Sequence, residues 1–174
     1  GRGLSALQHG NGDDYLELVI AARHGRGSPE PGPMVALACA RMLNNGVTCT
    51  IQANVSFGGG DYEAQIRAML EAYDKSGMRA AVCIGAQDQG WIVYPQQDEE
   101  DFLAGLPGDV REEFGTPRRT AYAGDAAATV ALMDRLLADY HGHPRIRLFY
   151  GPAGPQWLSD GAFAALADGA RQQG

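Results

Sequence analysis

RIRLFYGPAGPQWLSD, Arg145–Asp160, runs from a short apolar strand pattern into a Gly/Pro-rich loop carrying Gln156 and Trp157, and from there straight into a helix start. A strand, a loop and a helix in that order belong to α/β architecture, in which substrates bind at the carboxyl ends of parallel strands. A strand that ends in GPAGPQW therefore brings an amide and a bulky aromatic to a candidate active-site mouth.

Outward from this stretch the pattern keeps alternating. The helix after it, Asp160 to about Gln172, has Phe163, Leu166 and Ala167 as its expected buried face, and before it a helix over about Asp125–Tyr140 carries Val130, Leu132, Met133, Leu136 and Leu137. Further upstream, RAAVCIG at Arg79–Gly85 reads as a strand, and so does VTCTIQANV at Val47–Val55. Between them Asp61 or Tyr62 opens a helix with Ile66, Met69, Leu70 and Tyr73 on one stripe, closed by KSG at Lys75–Gly77. A helix from Pro33 stops at NNG, Asn44–Gly46, and an earlier one runs from Asp13 or Asp14 to about His24. Short helical patterns near Glu99–Ala104 and Asp109–Phe114 interrupt the long connection after the second strand. Strands separated by crossover helices imply a parallel sheet with helices outside. Three strands close nothing, so the chain is either under half of a (β/α)8 barrel, which takes about 250 residues, or a smaller open sheet.

Composition narrows the partners. The 174 residues are 45% hydrophobic and 20% charged, as in a single globular domain. A net charge of -7 argues against nucleic acid or an anionic membrane and for a small-molecule substrate. No apolar run approaches the roughly 20 residues that cross a bilayer, and GRGLSALQHGNGDD lacks a signal peptide's apolar core. Cys39, Cys49 and Cys83, odd in number and set in apolar patterns, are expected to be buried reduced thiols, which fits a cytoplasm. The chain opens on Gly1 and closes at Gly174 where another strand would follow, so it reads as an excerpt from something longer. Oligomeric state stays open, a homo-oligomer included.

Three segments carry a resemblance. MLNNGVTCTIQANV resembles the amidohydrolase-superfamily segment in which a helix ending GVT feeds the second barrel strand. RAAVCIGAQDQ is similar to that family's third strand and its loop, and HPRIRLFYGPAGPQWLSDGAFAALADGARQQG to the fourth strand, its loop and the next helix. The branch is that of aminohydrolases and chlorohydrolases acting on nitrogen heterocycles. The resemblance implies an α/β fold, part of a (β/α)8 TIM barrel, with residues 1–174 forming one incomplete catalytic domain. It also implies a hydrolase in which a divalent metal, Zn or Fe, turns a bound water into the nucleophile that breaks a C–N or C–Cl bond. The family's ligands are an HxH on the first strand, His residues on the fifth and sixth and an Asp on the eighth. None of those strands is present, so the metal ligands are expected outside this chain.

The residues weighed one by one fall into two groups. Candidates for the substrate site are Asn54 at the end of the first strand, Gln87 and Asp88 after the second, and Gln156 and Trp157 after the third. Gln156 would read heteroatoms and Trp157 stack on a planar ring. For Gln87, Asp88 and Gln89, contact with substrate and support of a neighbouring loop are both open, and Gln52 either lines the site or hydrogen-bonds inside the core. Trp91 and Tyr94 are lid candidates. The second group reads as ordinary structure. His141 and His143 match HxH but end a helix and precede a strand, which puts them at the amino-terminal face, opposite the catalytic one. Gly58–Gly60 lacks the Lys and spacing of a phosphate cradle and reads as a turn; His9 and His24 read as surface residues, and Asp98–Asp101 as a solvated helix start. Two rival readings use the same residues: a nonmetal α/β enzyme with an open sheet, and an inert piece whose unpaired strand edges aggregate or assemble only with another chain.

Overall fold

Three parallel strands lie side by side in sequence order: β1, Cys49–Gln52; β2, Arg79–Ala86; and β3, Ile146–Pro152. Their register sets Ile51 beside Ala81, Ala81 beside Arg147, and Cys83 beside Phe149. The structure is a computed structural model that describes residues 30–53, 61–90, 93, 96–114, 122–152 and 154–174. All the described elements belong to the unit Pro31–Gly174. The helix expected over residues 13–24, with His9 and His24, falls outside the described residues.

Each helix begins and ends where local chemistry dictates. Helix α1, Pro31–Asn44, starts on two prolines, whose fixed φ suits a first turn, and stops at Gly46, φ 76°. Helix α2, Tyr62–Ser76, is capped by the Asp61 carboxylate, which accepts from the Ala64 amide at 3.2 Å, and closed by Gly77 in the left-handed region. After β2 come two short helices, α3, Gln96–Ala104, and α4, Gly108–Phe114. Helix α5, Ala126–Tyr140, takes its cap from Asp125, and α6, Asp160–Gln173, from Ser159.

Among the described residues the main core lies on one face of the sheet. Val82, Ile84, Ala80 and Ile146 point into a core with Ile66, Met69, Leu70 and Tyr73 of α2 and Leu132, Met133 and Leu136 of α5, as the apolar stripes require. Gln52 belongs to this side: Tyr73 donates its hydroxyl hydrogen to Gln52 Oε1 at 2.6 Å, so the amide is a core hydrogen-bonding group. The opposite face carries Cys49, Ile51, Arg147 and Phe149; Ile51 is 75% exposed and Phe149 39%. In a closed barrel this is the inner face.

Four expectations need correction. Cys39 and Cys83 are buried free thiols, but Cys49 is exposed: it stands on β1, whereas Cys83, on the same face of the sheet, is shielded between β2 and β3 with its thiol against Gly151. Strand β1 starts later than Val47, whose amide closes the turn out of α1 on the Met42 carbonyl. In α6 the buried residues are Ala162, Leu166 and Gly169, whereas Phe163 and Ala167 are exposed. The helix sits too close to its neighbours for a large side chain: a Cβ on Gly169 would lie 3.0 Å from Val130 and 3.2 Å from the Tyr150 hydroxyl. Within Asp98–Asp101, Glu99 is buried, and its carboxylate lies against Gly90 in the loop after β2.

Candidate functional site

The loops leaving β2 and β3 meet at the carboxyl ends of their strands. In this parallel register Ala86 stands beside Pro152, so Gln87–Gln89 and the β3 loop leave the sheet at one level. The β3 loop folds as a single 3-10 turn, Pro155–Trp157, in which the Trp157 amide donates to the Gly154 carbonyl at 3.1 Å. Trp157 and Gln156 are both half-buried and fold back over Gly154. A Cβ there would lie 2.9 Å from the indole and 3.0 Å from Gln156 Oε1, so only glycine allows this approach.

Four hydrogen bonds join the two loops. The Asp88 and Gln89 amides both donate to the Trp157 carbonyl at 3.2 Å. The Asp88 carboxylate accepts from the Ser159 amide at 2.7 Å and from the Ser159 hydroxyl at 2.5 Å. Ser159 Oγ also accepts from the Ala162 amide, at 3.2 Å, as the cap of α6. Leu158, between the two anchored residues, is buried with Ala86, Ala162 and Leu166. Gln87 turns its Nε2 to the Gln89 carbonyl at 3.0 Å and leaves its Oε1 buried without a hydrogen-bond partner. Of the five candidate residues, four thus come together; Asn54 lies outside the described residues, as do Trp91, Tyr94 and Gly58–Gly60.

One participant was not anticipated from sequence. The Tyr62 hydroxyl accepts from the Gly85 amide at 2.8 Å. Among the described residues β1 pairs β2 as far as Val82, and beyond that point the Gly85 amide donates to the phenol. The only sequence signal is an aromatic at the first position of a capped helix, and that alone does not reveal its partner. An open cleft of about 490 Å³ lies beside this tyrosine, between the start of α2 and α5, with Asp61, Tyr122 and Arg135 among its walls. It belongs to the helical layer and not to the strand-end loops.

The HGH triplet stands at the other end of the strands. His141 caps α5 through its amide, and His143 Nδ1 accepts from the Arg145 and Ile146 amides at 3.3 and 3.1 Å. Its Nε2 is 3.3 Å from Asp74, which also pairs with Arg145 at 2.5 Å. Both imidazole nitrogens are thus engaged in tying the start of β3 to the end of α2. Among the described residues no group of three His, Cys, Asp or Glu side chains is placed to hold a metal ion. Nor is any described helix long and apolar enough to cross a membrane.

The same arrangement of strands and helices occurs in solved hydrolases. Atrazine chlorohydrolase TrzN from Arthrobacter aurescens TC1, complexed with zinc, matches with a TM-score of 0.66 at 21% identity, over 95% of this chain and 34% of its own. Its mutant complexed with zinc and atraton gives 0.66 at 20% identity, again over 95% and 34%. A triazine hydrolase from Arthrobacter aurescens modified for expression in E. coli gives 0.65 at 20%, over 97% and 34%. The fold is that of one third of a triazine hydrolase. No family model and no curated protein matches the sequence. The chain spans about a third of the length of the structures it resembles. With three parallel strand–helix steps, it has the α/β architecture of a partial (β/α)8 barrel, in agreement with the amidohydrolase resemblance read from its three segments.

Proposed function

We propose that this chain is the part of an amidohydrolase-type barrel, spanning its second to fourth strands, that recognises the substrate. On this reading residues 1–174 are one incomplete catalytic domain, and the whole protein hydrolyses a C–N or C–Cl bond of a small nitrogen-containing ring. The observation that carries the proposal is the joined pair of strand-end loops presenting Gln156 and Trp157, in a fold shared with triazine and atrazine hydrolases. The metal that the resemblance implies does not fit the described side chains, which hold no ligand set. Its ligands are assigned to other strands, and no step through it is derived from these residues.

What this chain contributes is recognition and orientation. The indole of Trp157 offers a flat apolar face to a planar ring, and the Gln156 amide offers both a donor and an acceptor to ring nitrogens and substituents. Gln87, with a buried carbonyl oxygen that lacks a donor, adds to the polar side of the mouth, and Asn54 stays a substrate-site candidate from its place in the sequence alone. The test is made on the complete protein, by assaying release of the leaving group from an s-triazine and measuring bound metal. Replacing Trp157 with Ala should lower kcat/KM about tenfold, the order of one aromatic contact, with the fold intact. Equal activity in a folded variant would remove Trp157 from the pocket, and a complete protein without triazine hydrolysis or bound metal would overturn the reading.

A further inference from the structure

We infer that Asp88 is a positioning residue: its carboxylate locks the loop after β3 to the loop after β2 and so sets where Gln156 and Trp157 stand. A serine hydroxyl has one hydrogen to give. As the cap of α6, Ser159 Oγ spends a lone pair on the Ala162 amide, which leaves the hydroxyl hydrogen and the Ser159 amide hydrogen as donors in need of acceptors. Asp88 supplies one oxygen to each, at 2.5 and 2.7 Å. On the other side of Leu158, the amides of Asp88 and Gln89 hold the Trp157 carbonyl. The segment 157–159 is therefore gripped at both ends from the β2 loop, with Leu158 buried between the grips. A carboxylate gives each donor an oxygen of its own, whereas the amide of an Asn has a single acceptor oxygen and turns an N–H group to the other position.

The consequence is a division of labour within the candidate site. Asp88 has both oxygens turned to Ser159, so its effect on a substrate passes through the loop it holds. That consequence rests on the reading of the loop as a substrate mouth; the lock itself does not.

Trp157 reports on the lock directly. The chain has two tryptophans, so Trp91→Phe in the 174-residue chain leaves Trp157 as the only indole. In this background Asp88→Ala should shift Trp157 emission to the red and raise its quenching by acrylamide while the far-ultraviolet circular dichroism stays that of the parent. Asp88→Asn, which keeps an acceptor oxygen for the Ser159 amide, should recover part of the shift. Ser159→Ala should move Trp157 in the same direction as Asp88→Ala, and Ser159→Thr, which keeps the hydroxyl, should not. A folded Asp88→Ala with unchanged emission and quenching overturns the inference. If that variant does not fold, unchanged values in folded Ser159→Ala overturn it equally. Titration with atraton separates the two readings: a chain that shows the Asp88 effect on Trp157 yet whose complete protein ignores atraton loses its substrate assignment and keeps its lock.

Discussion

Gly151 shows how tightly single residues are constrained inside this sheet. A Cβ added there would lie 1.9 Å from the Cys83 sulfur on the neighbouring strand, where the thiol donates to the Gly151 carbonyl. Gly151→Ala should lower stability by about 1–3 kcal/mol, the usual penalty of overpacking, and adding Cys83→Ala should restore much of it. Urea midpoints of the two variants decide the matter, and no recovery in the double variant would mean that the clash is not with the thiol. The Tyr73 phenol supplies a second test at this scale. Burial, with a smaller effect of Cys39, pushes it from 10.0 up to about 12. A raised value means that its contribution to stability is whole below pH 10 and is lost as pH rises towards about 12, because the unfolded chain ionises first. Alkaline unfolding followed by tyrosinate absorbance should show this slope, and Tyr73→Phe should remove it. Neither constraint is visible in the sequence, where Gly151 reads as the start of a Gly/Pro-rich loop and Gln52 as an open question.

Between elements, α2 and α5 are joined across the surface by Glu63, which accepts from Arg135 and Arg67, while Arg67 reaches Asp139 at 2.7 Å. The hydrogen bond from Arg135, together with Arg67, holds the Glu63 carboxyl below its ordinary value of 4.5 against the opposing effect of burial. A lowered carboxylate value contributes stability that is whole above the ordinary value and lost as pH falls through the lowered one. Acid unfolding should therefore be less steep in Glu63→Gln than in the parent, and superimposable curves would show that the lattice is spent on solvent. The helices themselves were readable from spacing: Ile66, Met69, Leu70 and Tyr73 are buried as their stripe requires. Helix α6 was not, because its contact with α5 selects the smallest side chains, and hydrophobicity alone favours Phe163 over Gly169.

At the scale of the whole molecule, the described residues pack against one face of the sheet and leave the other uncovered. Ile51 and Phe149 are exposed there beside Arg147, and β1 and β3 each have one side without a strand partner among the described residues. Apolar surface and free strand edges drive association, so the 174-residue chain should sediment as larger species with rising concentration. Ile51→Lys should weaken that association without unfolding the helix-covered core. A monomer at every concentration would show that the bare face is covered by the chain itself.

What the amino-acid order determined alone is the succession of strands and helices, since period, caps and glycine stops act within a few residues of one another. It also carried the exclusion of HGH from the strand-end mouth, because a helix stop followed by a strand start belongs to the amino-terminal face. Only the tertiary structure decided what the polar residues at the strand ends do. Gln52 and Asp88 are alike in sequence as polar groups near apolar strands, yet one bonds Tyr73 across 21 residues and the other Ser159 across 71. Local pattern cannot encode such pairs: hydrogen-bond partners are chosen by which elements the fold brings within about 3 Å.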